Sequence, residues 1–122
     1  MTVEELYAEI GGDYQEAKGR LANDALIKRF VLKFADDTSC ADTVSAWRAG
    51  DETKTFEASH MAKGVCANLA ITSIAELASG ITEALRPGNE ALRAETDIDS
   101  LVDQLEVAHQ KAIKAIGEFS AS

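Results

Sequence analysis

The stretch FEASHMAKGVCANLA, residues 56–70, places a histidine, a lysine and a glycine at positions 60, 63 and 64 of a segment that otherwise reads as helix. An imidazole held at a surface is a nucleophile that works near neutral pH. A lysine three positions on lies one helical turn away, where its ammonium can meet an anion bound at the ring. A glycine there costs about 1 kcal/mol relative to alanine, and it clears the surface beside the imidazole. At about 100° per residue, His60, Gly64 and Ala67 share a narrow sector, Lys63 borders it, and Phe56 and Met61 stand at its edges. Ala58, Ser59, Ala62, Val65, Cys66 and Leu69 collect on the other side. The pattern predicts an exposed His60, backed by a packed face, open to a macromolecular partner and to a phosphoryl group.

The second histidine reads differently. His109 follows Leu105 by four residues, within or beside an apolar stripe, which predicts a partly buried ring with one satisfied nitrogen. Cys40 and Cys66 lie far apart with no CxxC, so buried reduced thiols are expected rather than a metal or redox pair. The start MTVEELYAEI is polar and acidic, unlike a signal peptide. No apolar run approaches the roughly 18 residues of a membrane span, and a cytoplasmic location is expected. The net charge of −9, from 21 acidic and 12 basic residues, argues against nucleic acid and anionic membranes, which attract basic patches.

The elements that must position His60 follow from periodicity and caps. At 122 residues the chain is one domain, 1–122. Thr2 to Glu5 forms a capping-box pattern for a short first helix that Gly11–Gly12 stops. Asp13 can cap YQEAKGRLA, with an interruption at Gly19, and Asn23 opens a helix with Leu26, Ile27, Phe30, Val31 and Phe34 on one face. Ser39 can cap the next, which carries Val44 and Trp47 inward and ends at Gly50. Asp51 caps the histidine helix, about 52–70, and Thr72 caps a helix closed by Arg86–Pro87–Gly88. After a polar connection, Thr96–Asp99 starts the last helix, whose stripe runs from Ile98 to Phe119. Nothing reads as a strand pair. The expected fold is all-α, an antiparallel four-helix bundle with an additional short N-terminal helix.

HMAKGVCANLA resembles the phosphorylation motif of histidine-containing phosphotransfer (HPt) domains, which commonly read AHxLKGxAANLG. The resemblance covers nearly the whole chain. GGDYQEAKGRLANDALIKRFVLKFADD is similar to the family's upstream pattern, AWRAGD to the helix end before the histidine helix, and AELASGITEALRPG to the helix after it. The chain also departs from the pattern. Ser59 replaces an alanine, Ala62 a leucine and Ala70 a glycine; a Gln or Glu near the phosphohistidine aligns with Thr82, or with Glu83 if the register shifts by one.

The resemblance implies that His60 accepts a phosphoryl group on Nε2 from an aspartyl-phosphate of a receiver domain and passes it to another receiver. Lys63 would contact the phosphoryl oxygens and Gly64 would admit the partner. Phe56, Met61, Ala67 and Thr82 are the expected partner contacts. The chain itself would need no cofactor or metal, because Mg²⁺ sits on the receiver. Its partners would be response-regulator receiver domains and a hybrid histidine kinase, and it would be a monomer. It is not expected to be an enzyme with kinase activity: no GxxxxGK[ST] is present and there is no room for an ATP-binding domain. The rival reading is a helical module that docks receivers without being phosphorylated.

Overall fold

Side-chain oxygens start most of the helices. In the computed structural model, which describes residues 1–121, Thr2 Oγ1 accepts from the Glu5 amide at 3.1 Å. The Glu5 carboxylate accepts from the Thr2 amide at 3.0 Å, completing the capping box of α1 (Val3–Glu9). Asp13, Asn23 and Asp51 each accept from the amide three residues on, opening α2 (Tyr14–Leu21), α3 (Asp24–Phe34) and α5 (Glu52–Asn68). Two expected caps fall one residue late. Ser39 and Thr72 are the first helical residues of α4 (Ser39–Arg48) and α6 (Thr72–Leu85), not their caps. Asp37 instead accepts from the Ser39 amide at 2.9 Å and from its hydroxyl. α2 also runs unbroken through Gly19.

The polar connection after Gly88 holds one more helix, α7 (Glu90–Glu95). It buries no residue, so it left no apolar period to read. Arg93 fixes it by pairing with Glu52 and lying 5.6 Å over the Trp47 ring. α8 (Ile98–Ala121) then begins where Asp97 accepts from the Ser100 amide at 3.0 Å. The described residues are thus all-helical, in eight helices.

α5 packs on α4 and α6, and α8 packs on α6 and α4, so the contacts close a ring. Ile74, Ile81, Leu105 and Ile116 fill it, and fully buried Ala62, Ala78 and Ala112 let the backbones approach. α1 lies against α8, α2 and α3. Its Tyr7 is fully buried and donates its hydroxyl to the Leu69 carbonyl at 2.7 Å, while the Asp13 amide donates to the Ala70 carbonyl at 2.8 Å. The N-terminal segment is therefore fastened to the end of the histidine helix. No helix of the described residues is long and apolar enough to cross a membrane.

α5 ends with paired bonds from the Ile71 amide to the Cys66 carbonyl and from the Ala70 amide to the Ala67 carbonyl. That is a Schellman closure, and it sets Ala70 at φ +56°, where glycine is the usual residue. A second alanine is more strained. Ala22 sits at φ +72°, ψ −43°, at the centre of a γ-turn closed by the Asn23 amide on the Leu21 carbonyl at 2.8 Å. Its side chain is exposed, so a glycine there loses no packing. Ala22→Gly is expected to stabilise the fold by about 1 kcal/mol, read as a higher urea midpoint at unchanged slope.

Candidate functional site: the surface around His60

α5 buries Thr55, Ser59, Ala62 and Cys66 on one side, which leaves His60 and Gly64 exposed on the other. Nothing lies within 4 Å of where a Gly64 Cβ would sit. No packing inside the chain demands this glycine, so its purpose is to be sought outside the chain. Gly19 and Gly117 are as open; what singles out Gly64 is its place one turn beyond the imidazole.

The imidazole is aligned by a neighbour. The rings of His60 and Phe56 are parallel, with 1° between their planes and 6.1 Å between centroids. Phe56 is half-buried, and on its α6 side the Arg86 guanidinium carbon stands 5.5 Å from its ring centre. Arg86 donates two hydrogen bonds of 3.0 Å to Glu83 through Nε and Nη2. Glu83 in turn stands 3.5 Å from the Lys63 Nζ. A continuous row, His60–Phe56–Arg86–Glu83–Lys63, thus runs from α5 to the end of α6 and back to α5. The Arg86 guanidinium holds the Glu83 carboxyl below the usual carboxylate range, with Lys63 acting in the same direction. Glu83 raises Arg86 reciprocally.

The remaining expected contacts separate. Met61, next to the histidine, is 62% exposed and available to a partner. Ala67 is half-buried, and its carbonyl accepts from Arg20 at 3.1 Å. Thr82 is a correction: it is fully buried and cannot touch a partner. Its hydroxyl donates to the Ala78 carbonyl at 2.8 Å and lies 2.9 Å from the Ser59 hydroxyl, which donates to the Phe56 carbonyl at 3.1 Å. Ser59 and Thr82 are thus a buried polar pair that ties α5 to α6 and, through the Phe56 carbonyl, to the backbone that carries the Phe56 ring. Glu83 occupies the surface beside Lys63.

The sequence alone offers Glu83 only as the alternative to Thr82 under a one-residue shift of register, and it does not single out Arg86 as a site residue. Their i, i+3 spacing on a helix end was the available signal, but Arg86 reads more simply as part of the Arg–Pro–Gly stop. His60 stands on open surface, while hollows of about 630 Å³, between α1 and α8, and about 480 Å³, beside Phe30 and Val65, lie elsewhere. An open nucleophile fits a macromolecular donor better than an enclosed small molecule.

His109 is half-buried, edge-on to Phe34 at 6.0 Å. Its Nε2 is buried without a hydrogen-bond partner, so the satisfied nitrogen expected of this ring is not that one. Burial pushes its pKa below the ordinary value, against a weaker opposing pull from Asp37. Cys40 and Cys66 are both buried and free. A hydrogen bond with Cys40, and then burial, push the Cys66 thiol far up.

Comparison of the chain with protein-family models, with curated proteins and with solved structures gives no match. The functional reading therefore stands on the chemistry of this surface and on the motif itself.

Proposed function

We propose that the chain is a histidine phosphotransfer protein of a two-component phosphorelay, with His60 as the phosphoacceptor. The observation that carries this reading is the conjunction on one face of α5: an exposed imidazole, a lysine one turn on, and an open glycine beside it. In this reading α4, α5, α6 and α8 are the four helices of an antiparallel bundle, and α1 is the additional N-terminal helix.

The lone pair of Nε2 attacks the phosphorus of a receiver's aspartyl-phosphate. The N–P bond forms as the P–O bond to the carboxyl group breaks, and the electron pair leaves with the carboxylate. Nδ1 keeps its proton, so the ring is positively charged until that proton passes to water. Transfer to a second receiver runs the same exchange in reverse. The partner supplies the aspartate and Mg²⁺; this chain supplies position and charge. Phe56 fixes the ring plane, Lys63 meets the phosphoryl oxygens, and Gly64 lets the partner's surface approach. Lys63→Ala is expected to slow transfer by about tenfold, the scale of one lost charge contact in a transition state, with the helical circular dichroism unchanged. An unaltered rate would remove Lys63 from the reaction.

The rival, docking without phosphorylation, is separated by a two-stage relay. A receiver domain carrying labelled phosphate is mixed with the chain, re-isolated, and the chain is then offered an unlabelled second receiver. Acid-labile label appearing on the chain and then on the second receiver supports the carrier. Complex formation with label that never leaves the first receiver supports the docking module instead.

A further inference from the structure

Lys63 is not idle in the resting chain, and what holds it is a carboxylate. Resting on the carrier reading, we propose that Glu83 is an exchangeable counter-ion of Lys63, surrendered to the phosphoryl group on transfer and kept from repelling it by Arg86. Glu83 is thus a positioning residue that tunes the lifetime of phosphorylated His60.

The distances rank the two partners of Glu83. Arg86 grips it with two bonds of 3.0 Å in the planar fork that suits a carboxylate. Lys63 stands off at 3.5 Å, longer than a charge-assisted hydrogen bond of about 2.8 Å. The lysine contact is the looser one, and the ammonium sits on a flexible stem. A phosphoryl dianion one helical turn away offers it a denser charge than a carboxylate already shared with a guanidinium. When Lys63 leaves, Glu83 stays neutralised by Arg86, so no bare carboxylate faces the new anion. Arg86 also lies over the Phe56 ring that runs parallel to His60, so the grip on Glu83 and the support of the acceptor ring share one side chain. All three ionic groups are about one-third to two-fifths exposed, at 36% for Lys63, 35% for Glu83 and 40% for Arg86, which leaves room for the exchange.

The test uses phosphoramidate, which needs no partner protein. Its P–N bond breaks as the bond from phosphorus to His60 Nε2 forms, and ammonia leaves with the electron pair. The full chain is loaded, the reagent removed, and the phosphohistidine followed by ³¹P NMR. Glu83→Gln frees Lys63 and is expected to lengthen the lifetime by about threefold, the scale that an exposed ion pair commands. Arg86→Gln leaves Glu83 uncompensated and is expected to shorten it by a similar factor. In a Lys63→Ala background the Glu83→Gln effect should vanish, and added salt should narrow the gap between wild type and Glu83→Gln. A purely structural role would produce neither behaviour. Equal lifetimes in wild type and Glu83→Gln, or an effect that survives without Lys63, would overturn the role of Glu83 and leave the carrier reading intact. Failure of wild-type His60 to take up phosphate would instead remove the reading on which the proposal rests.

Discussion

Gly64→Gln is expected to lower phosphoryl transfer from a receiver domain by about two orders of magnitude, while making the chain slightly more stable. Both halves follow from the same observation. No other part of the chain lies within 4 Å of where a Gly64 Cβ would sit, so the root of a side chain there is accommodated without a clash. Replacing a mid-helix glycine recovers most of its penalty of about 1 kcal/mol. The only surface the new side chain can obstruct is one brought by a partner. Displacing a docked donor by about 1 Å is enough to cost about 100-fold in rate. Loading of the same variant by phosphoramidate, a donor of a few atoms, is expected to be unchanged. Stopped-flow transfer and thermal melts on Gly64→Gln therefore move in opposite directions. Normal transfer in a well-folded variant would mean that partners do not approach over this position.

A second large effect concerns stability against pH and arises at His109. The folded chain buries Nε2 without a partner and holds the pKa below the ordinary 6.5. The folded state thus binds a proton here less readily than the unfolded one. Wherever the unfolded state binds more protons, stability rises with pH. Stability is full above about 6.5, the ordinary value, is lost as pH falls from there through the lower folded value, and does not change further below it. Asp37 pulls the other way without outweighing burial. Arg48 and Glu106 line the small hollow beside the ring, and they are paired with each other at 2.8 Å. His109→Leu keeps the volume and removes the orphaned nitrogen. It is expected to gain about 1–3 kcal/mol at pH 5 and less at pH 8. Urea midpoints of wild type and variant at the two values check this. Parallel curves would mean that His109 keeps a full-strength proton affinity in the fold.

How much of this was readable beforehand depended on whether a feature was local. Asp13, Asn23 and Asp51 announce their helices because a cap bonds an amide only three residues away. Ser39 and Thr72 misled by one position, since a hydroxyl at a helix start can lie on either side of the boundary. α7 was invisible because it buries nothing and is held by Arg93 across the fold. The same distinction governs the site. The exposure of His60 and Gly64 follows from helical geometry on one element. The carboxylate that pairs with Lys63 comes from α6, and whether Thr82 or Glu83 reaches the surface turns on how α6 is rotated against α5. Thr82 follows Ala78 by four residues on the buried stripe of α6, which turns it inward to Ser59 and leaves Glu83 at the surface. Ser59, which reads as a mere departure from the HPt pattern, becomes intelligible only opposite Thr82.

The most direct measurement is to map where phosphate lands. Wild type, His60→Gln and His109→Gln are each incubated with a labelled, phosphorylated receiver domain from the same genome, and acid-labile label on the chain is counted. A phosphohistidine carrier acting through His60 requires equal label on wild type and His109→Gln and none on His60→Gln. Label that persists on a folded His60→Gln chain would contradict the central claim and place the acceptor elsewhere.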